Sequence, residues 1–191
     1  MTYNIAQSNI ELAYSQGLLP QRNNKDYFYQ DTSCRSDLTN LSLSSENRRI
    51  ISKTNNFTYQ KVPIFYNLEI QKKIFSWLKI LKWNFPISSV KNIFTNHIFN
   101  FVYIWQDENK NIIAYSVCYF NKNISHIAYV FYDPKYDHSN LPIRLVLQTI
   151  IDSHNQQLKY CYLGRFSQTT GYYKRNMPGF EYYQNSQWQK L

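Results

Sequence analysis

Cations and aromatic rings, not nucleophiles, are the chemically pointed residues of this chain. Arg35, Arg48, Arg49 and Lys53 fall close together, Arg144 stands near the start of a predicted helix, and Arg165, Lys174 and Arg175 follow a predicted strand. Tyr132, Tyr136, Phe166, Tyr172 and Tyr173 are interleaved with the later ones. Cations neutralise phosphates and rings stack bases, which is what recognition of a single-stranded nucleic-acid end requires. The same residues also describe a solvated basic face over an aromatic core, and sequence alone leaves both readings open. A formal net charge of +9 points to a polyanionic partner: nucleic acid, an anionic surface or an acidic substrate.

Other chemistries are poorly served. There is no GxSxG, HExxH or Walker sequence. His97, His126, His138 and His154 are scattered, and structural roles are expected for them. Cys118 and Cys161 fall in predicted strands as small core residues, whereas Cys34, placed in a predicted loop beside Arg35, is a candidate reactive thiol. The three cysteines match no zinc or cluster spacing, so no metal is expected and a reduced, cytoplasmic setting fits. The polar N-terminus and the lack of any run near ~18 apolar residues predict a soluble, unexported protein with no membrane partner.

The elements that must position these residues are readable in outline. The 191 residues suit one domain spanning 1–191, and with 18 Tyr and 12 Phe the chain is too aromatic for disorder. Ser8 and Glu11 form a capping box for a helix over 8–16, with Gly17 at its C-cap, and 26–30 reads as a strand. A polar stretch at 31–40 reads as loop, Ser44 or Ser45 caps a helix carrying Arg48, Arg49 and Lys53, and 57–64 returns to strand. Apolar residues at helical spacing predict a helix over 66–83, and Ser88 or Ser89 starts a shorter one through Phe94. Strands at 98–106, 111–121 and 124–132 form an antiparallel meander, followed by a helix at 141–157 entered at Pro142, a strand at 159–164 and an irregular aromatic tail. This is an α+β order, a mixed, mostly antiparallel sheet with flanking helices, and it is shared by acyltransferases of the GNAT type. An acyl-CoA enzyme of that layout needs a glycine-rich turn before the long helix to cradle the pyrophosphate. Here the turn reads KYDHSNLPIRL, without glycine and with Pro142 removing a donor.

Several stretches, in order, resemble the arginyl- and leucyl-tRNA–protein transferases, the N-end-rule aminoacyltransferases with a GNAT-like catalytic half. They are AYSQGLLPQRNNKDYFYQ, CRSDLTNLSLSSENRRIISK, VFYDPKY at 130–136, YCYLG at 160–164 and YYKRNMPGFEYYQNSQW at 172–188. The resemblance spans nearly the whole chain. It departs from the family in three places. The Cys-rich region of larger members has no equivalent, since Cys34 aligns with one cysteine of a later pair and Asp37 stands at the second position. Asn140-Leu141-Pro142 replaces a Ser-Leu-Gly tendency, and the segment between Gly164 and Tyr173-Lys174 is shorter. The chain thus resembles a reduced, diverged member.

The resemblance implies transfer of an amino acid from a charged tRNA, as co-substrate and without a further cofactor, to an amine, usually a protein or peptide N-terminus. The ester is already activated, so no covalent intermediate is needed. Backbone N–H groups around the end of the 124–132 strand would serve the oxyanion. Tyr132 or Tyr173 would stack the terminal adenine or donate to the leaving oxygen. Arg35, Arg48, Arg49, Lys53, Arg144 and Lys174 are the candidates for phosphate or carboxylate contacts. Asp133 and Glu181 are the carboxylates placed to hold the incoming amine or take its proton. Competing structural readings are a turn at Asp133-Pro134, an ion pair for Glu181 and a solvated helix face for Arg48 and Arg49. Two functions of other classes stay open: an acyl-CoA-dependent N-acyltransferase, and a non-catalytic module that binds tRNA or N-termini. The donated amino acid, the acceptor, the general base and the oligomeric state are not readable.

Overall fold

A computed structural model describes residues 2–4, 9–25, 27–167, 169 and 171–191. A small antiparallel sheet is built from β1 (Thr2–Asn4), β2 (Leu18–Pro20) and β3 (Tyr27–Gln30), in the order β1-β3-β2. Between its first two strands lies α1 (Ile10–Ser15), which stops where Gly17 adopts φ +71°. Asn9 occupies the N-cap without a side-chain hydrogen bond, and Ser8, the expected cap, lies outside the described residues.

The main sheet contains β4 (Ser33–Asp37), β5 (Thr58–Pro63), β6 (Phe101–Gln106), β7 (Ile112–Phe120), β8 (Ile124–Tyr132), β9 (Tyr160–Arg165), β10 (Phe180–Gln184) and β11 (Gln187–Lys190). Its order is β11-β10-β4-β9-β8-β7-β6-β5, and every pairing is antiparallel except β8 with β9. Alternation along each strand sends side chains to opposite faces. On β9, Tyr162 joins the core under α1, α3 (Leu68–Ile80) and α4 (Ile87–Phe94), while Cys161 and Leu163 join the core under α2 (Ser45–Lys53) and α5 (Leu141–Asn155). The mixed, mostly antiparallel sheet with flanking helices is the α+β class expected from the element order.

Local chemistry explains the boundaries. Ser44 caps α2 by accepting from the Asn47 N–H, and Asn47 returns the bond to the Ser44 N–H. Asn67 caps α3 through the Ile70 N–H. The short helix before the meander starts after Pro86, not at Ser88 or Ser89.

Two expectations fail. The polar 31–40 stretch contains β4, which lies inside the sheet between β10 and β9. Its small residues Ser33, Cys34 and Ser36 are fully buried, so no large apolar side chain announces the strand. Cys34 is therefore not a loop thiol. Burial pushes its thiol up to about 12, far from the reactive range. The tail is not irregular either. β10 and β11 form a hairpin whose turn residues Asn185 and Ser186 both adopt positive φ, as a two-residue type I′ connection demands.

Gly179 shows how tightly that tail is tied in. Its φ is +66° and a Cβ there would lie 2.1 Å from the Asp37 carbonyl oxygen, while its own carbonyl accepts from the Asp37 N–H at 2.7 Å. Gly179→Ala combines a left-handed backbone cost of about 1–2 kcal/mol with that collision. It is expected to lower the melting temperature by at least about 4 °C, measured by circular dichroism.

Candidate functional site

The sheet is opened from within at β8 and β9. These strands pair in parallel only at Ile124–Tyr160, Ser125–Cys161 and His126–Tyr162, and diverge beyond that point. Each carries a bulge just past the fork. On β8, Val117 faces Tyr129 and Cys118 faces Ile127, so Ala128 has no partner in the β7 register. On β9, Cys34 faces Gly164 and Arg35 faces Tyr162, so Leu163 has no partner in the β4 register. A bulge bends its strand and increases the local twist. Two bulges at one level let the strands lean toward their outer neighbours and leave a wedge between them.

That wedge is a cleft reaching both faces of the sheet. On one side is a pocket of about 210 Å³, lined by Leu19, Tyr29, Phe99, His126, Gly164 and Arg165 among others. It adjoins an open hollow of about 450 Å³ around Pro20, Arg22, Tyr29 and Tyr129. On the other side a pocket of about 220 Å³ is lined by Trp83, Phe85, Phe131, Val146 and Tyr173. The two smaller pockets share Ala128, Tyr129, Leu163 and Lys174. Among the described residues that line the three, Arg22, Arg165 and Lys174 are cations and none is Asp or Glu.

Lys174 sits at the middle, on a 3-10 turn Tyr172–Asn176 that follows β9. Its Nζ donates to the Arg165 carbonyl at 2.9 Å, and burial lowers its pKa. His126 stands at the last position where β8 pairs with β9 and is buried. Its Nδ1 meets the Tyr14 hydroxyl at 2.7 Å, and its Nε2 has no partner among the described residues. Burial, helped by the Lys174 charge, pulls the imidazole down to about 3. Arg22 lies over the Phe85 ring at 4.5 Å, and its Nε has no partner among the described residues.

The structure distributes the sequence candidates unevenly. Tyr173 and Lys174 line the cleft. Tyr132 ends β8 with its ring edge-on to Trp83 and its hydroxyl donating to Asp137 at 3.3 Å. Asp133 accepts from the Lys135 N–H and starts the 3-10 turn Pro134–Ser139, which is the turn reading. Arg35 and Glu181 are cross-strand neighbours on β4 and β10, joined at 2.8 Å, both buried. The Arg35 guanidinium lies 3.6 Å from the Tyr160 ring and 4.1 Å from the Trp188 ring. Arg144 is buried on α5, bonded to Gln148 and over Trp105. These three, expected at the substrate, do not line the cleft; strand alternation and helix phase turn them into packed interior instead. Arg48, Arg49 and Lys53 are exposed on α2. Arg49 is held by Glu46 through two bonds of 2.7 and 2.6 Å, and Lys53 donates to the His138 carbonyl at 2.8 Å. Asn47 of the same helix donates to the Asn176 carbonyl, which ties α2 to the Lys174 turn.

Ala128 and Arg22 are site residues that sequence reasoning passed over, and His126 was expected only in a structural role. A histidine inside a strand carries no signal of its own, and a bulged alanine carries none at all.

Ahead of α5, Asn140 adopts φ +62° and Pro142 lacks an N–H, so the turn offers no run of free amides for a pyrophosphate. Among the described residues no group of three or more His, Cys, Asp or Glu is placed to hold a metal ion, and no helix is long and apolar enough to cross a membrane.

A protein family described as "Arginine-tRNA-protein transferase, C terminus" matches residues 49–189, from within α2 to the last strand. No curated protein sequence matches. Among solved structures, the C-terminal domain of a putative lysylphosphatidylglycerol synthetase from Agrobacterium fabrum is 13% identical over 85% of this chain and 52% of that one, with a TM-score of 0.53. L-PGS from Bacillus licheniformis is 14% identical over 88% of this chain and 53% of that one, with a TM-score of 0.50. This chain thus spans about half the length of either. A GCN5-related glucosamine N-acetyltransferase region of a fungal multi-domain GH3 β-N-acetylglucosaminidase is 11% identical over 95% of this chain and 22% of that one, with a TM-score of 0.51. At such identities the likeness is one of fold, and the fold is GNAT-like.

Proposed function

The chain belongs to the arginine-tRNA–protein transferase C-terminal family, and on that premise we propose that it transfers an amino acid from an aminoacyl-tRNA to an amine, a protein or peptide N-terminus being the preferred acceptor. The observation that carries this reading is the through-sheet cleft, rimmed by Arg22, Lys174 and Arg165, the last paired with Asp31 at 3.2 Å, walled by aromatic rings and without a carboxylate among its described lining residues. An RNA 3′ end brings phosphates for the cations and a base for Trp83, Phe85 or Tyr173. Because the cleft reaches both faces, donor ester and acceptor amine can approach the bulge from opposite sides, which brings both reactants to one point.

The chemistry balances without a protein nucleophile. The neutral amine adds to the ester carbonyl carbon, forming the C–N bond and moving the carbonyl π pair onto oxygen. Collapse breaks the bond to the ribose oxygen, which leaves with the proton lost by the amine. Ala128, unpaired in both strand registers, is the backbone position nearest the fork from which an amide can serve that oxygen.

The test is a transfer assay with tRNA charged with a labelled amino-acid pool and peptides differing at the N-terminal residue, read by mass spectrometry. A one-residue gain is expected and names donor and acceptor together. Salt-sensitive tRNA binding without any gain favours a binding module. Neither transfer nor binding returns acyl-CoA chemistry to first place, despite the poor pyrophosphate turn.

One rim cation and the cations of α2 carry their own prediction. Arg22→Ala with Arg48→Ala is expected to weaken charged-tRNA binding and to flatten its log–log salt slope by about 1.4 if both touch single-stranded phosphates. Arg49→Ala should change the slope little, since Glu46 already neutralises Arg49. Fluorescence anisotropy across a salt series reads both.

A further inference from the structure

His126 is a buried polar group left half-satisfied at the fork of the site. Tyr14, fully buried, has the imidazole Nδ1 as its only hydroxyl partner among the described residues, so its O–H proton is placed to donate there. Were Nδ1 the donor instead, the Tyr14 proton would be stranded in the core, which costs more than the bond returns. The neutral ring then carries its proton on Nε2. That atom is buried and has no partner among the described residues, in a ring that lines the cleft.

Gly164 shows what Nε2 faces. The position a Cβ would take on Gly164 lies 3.7 Å from His126 Nε2 and 3.7 Å from Lys174 Nζ. The residue is a glycine at φ +80°, so no side chain stands between them there. Lys174 uses one proton on the Arg165 carbonyl and keeps two more. Two N–H donors, one on β8 and one on the turn after β9, thus come together beside Gly164 in the pocket that Ala128 also lines.

We propose that His126, fixed by Tyr14 as a neutral Nε2–H donor, acts with Lys174 as a seat for the carbonyl oxygen of the aminoacyl ester and stabilises the negative charge it takes on when the amine adds. This assignment rests on the aminoacyl-transfer reading. A neutral imidazole suits this role because it donates to the oxygen without placing a second full positive charge beside Lys174. Burial keeps it neutral across the physiological range.

The experiment pairs His126→Asn with His126→Gln. Asparagine keeps an acceptor for Tyr14 but loses the distal donor, whereas glutamine keeps a donor near the Nε2 position. With charged tRNA and the peptide found to accept, His126→Asn is expected to lower kcat by about 10²- to 10³-fold with KM changed less than about threefold, and His126→Gln to stay within about tenfold of the parent. In the parent, ¹⁵N NMR of labelled histidine should show an Nε2–H tautomer that does not titrate between about pH 5 and 8. Its resonance should move when a 3′-amide-linked aminoacyl minihelix is added. A folded His126→Asn as active as a parent that transfers would overturn the assignment and leave the transferase reading standing. So would an Nδ1–H tautomer, a midpoint near the ordinary histidine value, or a resonance indifferent to the bound minihelix. A parent chain that transfers nothing would overturn the transferase reading and this assignment with it.

Discussion

Glu181→Leu should destabilise the protein by about 3–5 kcal/mol, and Arg35→Met, Glu181→Leu together should recover most of that loss. The asymmetry follows from where the pair sits. Arg35 is 7% exposed, its guanidinium held between the rings of Tyr160 and Trp188, and Glu181 is the carboxylate that neutralises it. Removing Glu181 leaves a cation that the rings favour only weakly and that is almost wholly shielded from water. Removing both charges leaves an apolar contact between β4 and β10, whose backbone pairing at Arg35–Glu181 is untouched. For a chain of 191 residues the single change corresponds to a fall of about 10 °C in melting temperature. Transfer rate per folded molecule is the second readout. A pair that only joins strands leaves it within about threefold in the double variant, whereas a carboxylate that took the acceptor's proton would be missed by about 10² or more. The resemblance to the transferase family suggested the second role for Glu181, and the burial of both partners argues for the first.

What was legible in the sequence and what was not divides along a physical line. Elements whose order depends on local chemistry were readable: the Ser44 cap of α2, the periodic apolar face of α3, the turns that make β6, β7 and β8 a meander. β4 was not, because a strand enclosed by neighbours on both sides and packed through Ser33, Cys34 and Ser36 has no alternation of large and polar residues to detect. The β10–β11 hairpin did carry a sign, Asn185-Ser186 between aromatic and polar runs, but serine is a weaker marker of a positive-φ pair than glycine. The site divides in the same way. Lys174 and Tyr173 were reached through a motif, since both lie on one continuous segment. The cleft itself arises from two register shifts, at Ala128 and Leu163, and register is a relation between strands that no single segment records. His126 acquires its meaning only when β8, β9 and α1 are brought together, for its partner Tyr14 is 112 residues away.

The same burial that equips His126 as a neutral donor should make the protein acid-sensitive in a window where most proteins are not. In the unfolded chain this imidazole titrates at about 6.5, and in the folded protein at about 3. Between those values the unfolded state holds one more proton than the native state, so stability rises with pH there; it is complete above about pH 6.5 and is lost as pH falls toward 3. The expected loss is about 2 kcal/mol at pH 5 and about 3 kcal/mol at pH 4. Tyr14 faces the ring from α1 as a neutral hydroxyl and Lys174 faces it from the turn after β9 as a cation, and among the described residues no carboxylate hydrogen-bonds the ring to reverse the sign. Three carboxyls, Asp37, Asp107 and the exposed Glu46 held low by its bond from Arg49, act in the same direction but only at lower pH. At Asp37 partial burial pushes the pKa up, and the opposing bonds from Thr39 outweigh it and hold the group below its ordinary range. Asp107 is held low by its bond from the Asn111 side chain. Urea titrations of the parent and of His126→Gln from about pH 4.5 to 7 separate the contributions. The parent's unfolding free energy should climb by nearly 1.4 kcal/mol per pH unit below about pH 6, and the variant's curve should be flatter by that amount. Equal slopes would mean that His126 is charged in the native protein, and a charged ring could be neither the neutral donor nor a comfortable neighbour for Lys174. The stability curve and the transfer rate therefore examine one physical statement by independent routes: the imidazole is neutral in the folded protein and donates through Nε2.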